Sequence, residues 1–468
     1  MSLQVIGFAL VVLSMVLMLG KWIRVKSPLL QRLFLPSSLI GGFLALFLGP
    51  EVLGRFFSSE GSTSYGLFTE DMMDVWSQLP GLLINVVFAT LFIGFVLPKL
   101  SEIWRVGGPQ ISLGYVMTWA QYAVGMLLAM TILVPVFGMS PAAGALIEIS
   151  FVGGHGTAAG LQDSFISLGF EEGYDLALGL ATVGLLSGVI IGIIMLNIAA
   201  RRGKLSTLSH PDELSFEQQS GIIDEENRQS SGKQTTSSVS IEPLAFHLGL
   251  VAIAIFIGYW LLEGLLWVEQ VTWYAASGIE LIAHVPLFPF AMIGGIILQL
   301  FMSRFDKRSM VDRETVLRIQ NTALDFLIIS ALATLSLSVI GANIWEFIIL
   351  AVAGILINVV LFLYLAPKMI PNHWFERGIG DYGQSMGVAA TGIMLMKIVD
   401  PKQETPAMKA FGYKQVFFEP MVGGGLVTAA AMPFIIQFGL MPALIGVTVL
   451  MILFWILGVF YFGKQKSA

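Results

Sequence analysis

The stretch Phe151–Gly160, FVGGHGTAAG, places Gly153, Gly154, Gly156 and Gly160 around His155 and Thr157 inside a long apolar chain. Such a run is a poor membrane-spanning helix. Backbone that leaves the helix at membrane depth exposes N–H and C=O groups that lipid cannot satisfy, so it persists only where protein buries it or a wet cavity solvates it. A cavity is therefore expected here.

The surrounding chain fits that setting. Its 468 residues are 56% hydrophobic and only 12% charged, against roughly one-quarter charged residues in soluble proteins. An all-α polytopic membrane protein is expected, with about eleven spans of ~20 residues and two broken apolar stretches. There is no cysteine, which excludes disulfides, thiolate metal sites and cysteine nucleophiles. The first apolar run lacks a basic leader and a small-residue cleavage site, so it reads as a retained span.

Charges in short loops orient the chain, because Lys and Arg collect on the cytoplasmic side. Lys21, Arg24, Lys26 and Arg32 lie inside, whereas Glu51, Glu60, Glu70, Asp71 and Asp74 lie outside. Lys99, Arg105, Arg201, Arg202 and Lys204 return inside, as do Arg304, Lys307, Arg308, Arg313 and Arg318. Lys368, Arg377, Lys397, Lys402, Lys409, Lys414, Lys464 and Lys466 are read as inside too. All loops agree if the stretches at about 141 to 168 and 377 to 396 are re-entrant. The amino terminus is then outside, and the central segment and carboxyl terminus are cytoplasmic.

Residues 201 to 243 are rich in Ser, Gln and Glu and poor in aromatics, a composition that buries too little apolar area to offset ordering entropy. This segment reads as a mobile linker between a first repeat at 1 to 200 and a second at 244 to 440, followed by an extra span at 441 to 468. The halves repeat: Pro36, Gly41 and Gly42 match Pro289, Gly294 and Gly295, and FATLFIGF at Phe88 matches LATLSLSV at Leu332. GHGTAAG at Gly154 pairs loosely with DYGQSMG at Asp381, through Gly156 with Gly383. One half starts outside and the other inside. Paired broken segments in an inverted repeat point to a binding site near the bilayer midplane.

Ionisable residues at membrane depth are costly and mark function by default. Glu148, His155, Thr157 and Asp163 belong to the first stretch, and Asp381, Tyr382, Gln384, Ser385 and Thr391 to the second. Asp325 and Glu419 lie outside both. Broken helices present amide groups and positive dipole ends to an anion, while freed carbonyls with Asp and Thr oxygens suit a small cation such as sodium. Blander readings stand beside these. Gly41 with Gly42 reads as close helix packing, Asn85 and Asn358 as amides that join helices, and Lys397 and Arg377 as topology anchors.

At these residues the chain resembles the bacterial sodium/glutamate symporter family, whose first-hairpin core is Gly-Gly-His-Gly-Thr. LPSSLIGG near Leu35, FATLFIGF, LATLSLSVIGANIWEF and PMVG at Pro420 extend the resemblance over both halves. It implies a sodium-coupled importer of glutamate in the bacterial inner membrane, built from two inverted five-span repeats with one re-entrant loop each. The motif falls on Gly153, Gly154, His155, Gly156 and Thr157, and the second hairpin on Gly380 to Gly392. Asp381 and Tyr382 stand where the family carries a His-Cys type of pair. Substrate contacts are expected at Gly153, Gly154, His155, Gly156, Thr157, Tyr382, Gln384 and Ser385, and cation contacts at Asp325, Asp381 and Thr391. A homodimer through paired Gly-Gly helices is a further expectation; neither an enzyme, a bound cofactor nor a nucleic-acid partner is. The alternatives are another carboxylate or amino acid, proton coupling through Asp381, a cation channel, or an intramembrane hydrolase using His155.

Overall fold

The computed structural model describes residues 2–57, 64–96, 98–202, 205, 222–228, 230, 232–401 and 403–464. Glu60, Lys204, Lys402, Lys466 and residues 203–204, 206–221, 229 and 231 of the expected linker fall outside the described residues. Among the described residues, ten helices are long and apolar enough to cross a membrane. The chain is a multi-pass membrane protein. It divides into two compact units: Met1–Val96, Ala159–Asp163 and Phe216–Ser338 form unit 1, and Leu97–Ala158, Ser164–Ser215 and Val339–Ala468 form unit 2. Each unit draws helices from both halves of the sequence.

Unit 1 holds α1 (Leu3–Lys26), α2 (Ser37–Leu48), α3 (Glu70–Ala89), α9 (Pro243–Glu269), α10 (Phe288–Phe305) and α11 (Arg313–Ala333). Local signals set their starts. The side chain of Thr69 caps α3 at Met72 N, with Glu70 and Asp71 in its first turn, and Asp312 caps α11 at Thr315 N; both arrangements satisfy otherwise orphaned N–H groups.

Small residues set the packing. A Cβ at Gly20 would lie 2.7 Å from Gly41 N, so α1 and α2 touch backbone to backbone, and a Cβ at Gly258 would lie 2.6 Å from Ala291 Cα, so α9 and α10 do likewise. Gly42 then faces Leu332 of α11, and Gly295 faces the Ala89 carbonyl of α3. Gly42 thus packs on the LATLSLSV segment and Gly295 on the FATLFIGF segment. The paired glycines are used within the unit, where small residues let backbones approach.

Arg313, counted above among the loop charges, has a structural task as well. Its guanidinium donates to the carbonyls of Thr90 and Ile93, both at 2.7 Å, and of Leu91 at 3.0 Å, closing the carboxyl end of α3. The linker region is anchored from Lys233 onward, where Lys233 N donates to Asp312 Oδ2 at 3.2 Å. His247 Nε2 accepts from Asp312 N at 2.8 Å, and its Nδ1 lies 2.6 Å from the Pro243 carbonyl.

Unit 2 holds α4 (Gly108–Leu128), α5 (Leu146–Phe151), α6 (Gly154–Gly160, whose last two residues belong to unit 1), α7 (Gln162–Ser167, whose first two residues belong to unit 1), α8 (Glu172–Arg201), α12 (Ile344–Met369), α13 (Trp374–Val399), α14 (Ala407–Phe418), α15 (Leu426–Phe438) and α16 (Leu440–Ile456). The apolar run at 415 to 437, long enough for a span, is not one helix: it breaks between Phe418 and Leu426. Gly423 and Gly424, at φ 72° and 109°, take a backbone that glycine adopts without steric cost, which is why this apolar run does not continue as helix.

Candidate functional site

Three interruptions in helices of unit 2 meet. In α13 the helix stops at Gly387 (φ −161°, ψ 52°) and Val388 (φ 59°, ψ 172°). On either side the chain packs against itself: a Cβ at Gly383 would lie 2.7 Å from Gly392 Cα, and one at Gly380 would lie 2.6 Å from Met396 Sδ. These contacts are symmetric about the break, so the chain turns back there. A β-branched residue at positive φ is strained, and Val388 carries that strain at the tip.

The first glycine-rich stretch also reverses. Tyr122 bonds Glu148, and Gly125 abuts Gly144, so residues 141–151 run antiparallel to α4. Beyond the break at Val152 and Gly153, His155 pairs with Thr182, and Phe165 approaches Gly173, so the chain runs antiparallel to α8. Since α4 follows the first arm of α13, through Gln110 with Arg377 and Gln121 with Ser385, and α8 follows the second, through Leu185 with Gly387 and Gly192 with Leu395, the segments flanking the break run in opposite directions. Gly154 (φ 69°) stands at this tip, and a Cβ there would strike Val388 Cγ1. The two tips touch.

The third interruption joins them. Thr157 Oγ1 donates to the Gly423 carbonyl at 3.4 Å, and a Cβ at Gly423 would lie 3.3 Å from Val152 Cγ1. Glu148 holds this corner: Oε1 accepts from Gly423 N at 3.1 Å and Thr428 Oγ1 at 2.9 Å, and Oε2 accepts from Tyr122 Oη at 2.6 Å. Helices therefore begin at Gly154, just after Val388 and at Leu426, with their amino-terminal ends on the same corner.

His155 is buried, and its Nε2 lies 2.8 Å from Thr182 Oγ1. The Thr182 hydroxyl also lies 3.2 Å from the Leu178 carbonyl, so it links the imidazole to the backbone of α8. Thr391 Oγ1 donates back to the Gly387 carbonyl at 2.5 Å. Thr157 and Thr391 each lie three residues beyond a tip residue, Gly154 or Val388. In the sequence pairing Gly383 partners Gly156, but Gly383 lies ahead of its break and Gly156 behind its own. The breaks, not the glycine spacing, give the better register.

The remaining expected residues are placed differently. Tyr382 packs on Phe362 with ring centroids 5.4 Å apart, on the first arm of α13 and away from the tip. The Ser385 hydroxyl approaches Met117 Sδ at 3.7 Å, while its carbonyl accepts from Gln121 at 2.8 Å and Asn358 at 3.2 Å. Asn358 thus joins α12 to α13, whereas Asn85 turns back to the Gly81 carbonyl of its own helix. Asp325 lies on α11 in unit 1, not in the unit that carries the tips.

Asp381 and Gln384 belong to a buried network that loop-charge counting missed. Lys414 Nζ lies 2.6 Å from Asp381 Oδ1, both side chains are fully buried, and the ammonium also donates to Gln384 Oε1 at 2.8 Å. Lys414 is therefore not a loop charge, contrary to its reading as a topology marker: α14 carries it into the protein interior, where α4 leaves space at Gly114. Arg377, likewise read as an anchor, is buried and donates to the Val106 carbonyl at 2.8 Å. Charge counting records composition and not direction, so it could not separate these two from exposed Lys397. Among the described residues, no group of three or more His, Asp or Glu side chains could hold a metal ion.

The profile of the sodium/glutamate symporter family matches residues 2–399. The chain belongs to that family. The family is one of transporters and not of enzymes, in keeping with the long apolar helices. The matched residues include both reversing stretches, while Lys414, Glu419 and Gly423 follow them in sequence. No curated protein matches the chain.

Proposed function

We propose that this symporter imports glutamate, or a closely related acidic solute, coupled to sodium and by alternating access. The observation that carries the reading is the convergence of three helix beginnings, at Gly154, after Val388 and at Leu426, on one corner of unit 2. Positive dipole ends at such a corner favour carboxylates, although the Leu426 and Val427 amides are already taken by the Pro420 and Met421 carbonyls. Gly153 and Gly154 let Thr157 and Val388 close on the tip, Gly156 lies in the same turn, and His155 and Thr157 supply polar contacts beside it. Gln384 and Ser385 border the site through α13, with Tyr382 behind them.

Sodium is assigned to hard oxygens: the carbonyls released at the breaks and the hydroxyls of Thr391 and Thr157. Asp381 is already paired with Lys414 and so enters this set only if that pair opens; Asp325 belongs to unit 1 and is not part of it. The two reversing stretches are read as re-entrant hairpins of an inverted repeat, with the amino terminus outside and the carboxyl terminus cytoplasmic. Matched contacts of Gly42 with Leu332 and of Gly295 with Ala89 support the repeat. Alternating access then moves the hairpin-bearing unit as a body. A homodimer would use surfaces other than the paired glycines, which are already packed.

Proteoliposome uptake of labelled glutamate tests the proposal. Uptake should follow an imposed inward sodium gradient and fall when aspartate or other dicarboxylates compete. Uptake indifferent to that gradient removes sodium coupling. Because the chain has no cysteine, single introduced cysteines can report the side from which each hairpin is reached.

A further inference from the structure

The buried ammonium of Lys414 sits in a site built for a cation. Its Nζ has Asp381 Oδ1 at 2.6 Å and Gln384 Oε1 at 2.8 Å, and lies 4.0 Å from the centroid of the Phe418 ring. The surroundings are shaped for it. A Cβ at Gly114 would fall 2.6 Å from Lys414 Cε and 2.7 Å from Nζ, so α4 needs a glycine there for the side chain to lie down.

Gln384 is turned to present its oxygen, because Nε2 donates to Glu419 Oε1 and Gln415 Oε1, each at 3.1 Å. A carboxylate accepts only, so Glu419 dictates which end of the amide faces Lys414. Asp381 lies on the first arm of the reversing helix α13, and Lys414 and Glu419 flank the end of α14 at the third break. The charge therefore sits between two of the three interrupted elements. Burying such a pair is costly, and replacing it by apolar side chains is often neutral or stabilising, so packing stability alone gives no reason to keep it.

We propose that Lys414 is a tethered cation that permanently fills a monovalent-cation position formed by Asp381 and Gln384, so that this transporter binds one sodium ion fewer than the position would otherwise demand. Removing the ammonium while keeping its bulk opens the position to sodium. The coupling consequence rests on the symport reading above; the site itself does not.

The test counts ions on the purified full-length protein by equilibrium binding of radioactive sodium. Lys414→Met should bind one more sodium ion per chain than the wild type, and Lys414→Met with Asp381→Asn should return to the wild-type count. An unchanged count in Lys414→Met overturns the proposal, as does an extra ion that survives Asp381→Asn. If Lys414→Met aggregates in choline chloride, its recovery decides instead. Monodisperse protein in sodium chloride but not in equal choline chloride supports the site, and aggregation in both overturns it. If wild-type proteoliposomes take up no glutamate, the symport reading fails while the ion count still decides the role of Lys414.

Discussion

The carboxylate of Glu148 accepts the backbone N–H of Gly423 at 3.1 Å, tying the first reversing stretch to the interruption that separates α14 from α15. The bond links residues far apart in sequence, and it satisfies a donor that the broken helix cannot satisfy itself.

Glu148→Ala leaves Gly423 N–H, Thr428 and Tyr122 without their acceptor, and each buried unsatisfied group costs about 1–3 kcal/mol. The variant should show a melting temperature lowered by several degrees and uptake reduced at least about tenfold. Glu148→Gln keeps an oxygen for Gly423 and Thr428 and should be much milder in both assays. Equal effects of the two substitutions would show that the Gly423 bond is not what matters.

Gly154→Ala places a methyl against Val388 Cγ1 at a backbone φ of 69°, where a side chain adds strain of about 1–2 kcal/mol. Uptake should fall sharply. Val388→Gly, which relieves a φ of 59° at a β-branched residue, should by itself leave stability unchanged or raise it. Combined with Gly154→Ala it should recover part of the lost uptake, and strict additivity of the two effects in a double-mutant cycle would argue against contact between the tips.

Arg313→Lys keeps the positive charge but cannot reach the three carbonyls of Thr90, Leu91 and Ile93 that the guanidinium fork spans. A lower melting temperature is expected, with Arg313→Ala lower still. Arg313→Lys melting like the wild type would reduce this residue to a topology charge.

Burial pushes the Asp312 carboxyl up, but hydrogen bonds from Thr315 and from Lys233 N, with His247 nearby, outweigh it and hold the group below its ordinary value. A depressed folded value means that the bonds stabilise fully above the unfolded value of about 3.9 and are lost as pH falls through the folded one. Hydrogen exchange at the Lys233 amide should therefore stay slow through neutral pH and speed up, relative to its intrinsic rate, only in acid. Asp312→Asn should remove that acid step.

Much of unit 1 was legible beforehand. Pro36, Gly41 and Gly42 could be matched to Pro289, Gly294 and Gly295 because close helix packing demands small residues at fixed spacing, and such spacing survives as a pattern in one dimension. The first tip was legible for a related reason: four glycines within ten residues cannot form a comfortable span. Asn358 was correctly read as joining helices, since a lone amide inside an apolar helix needs a partner.

Composition and the clustering of glycines by themselves determined that this chain spans a membrane and that its helices break near His155 and in the segment containing Asp381. These properties follow from local demands of backbone and solvent. Only the tertiary structure decided that the break in α13 lies at Gly387 and Val388, that Glu148 holds Gly423, and that Lys414 points inward to Asp381 and not out to water. A charge in a sequence carries no direction. Whether it is solvated or buried depends on what packs around it, and here that was settled by Gly114 and Gln384, which other helices bring to the same point, together with Phe418 one turn further along α14.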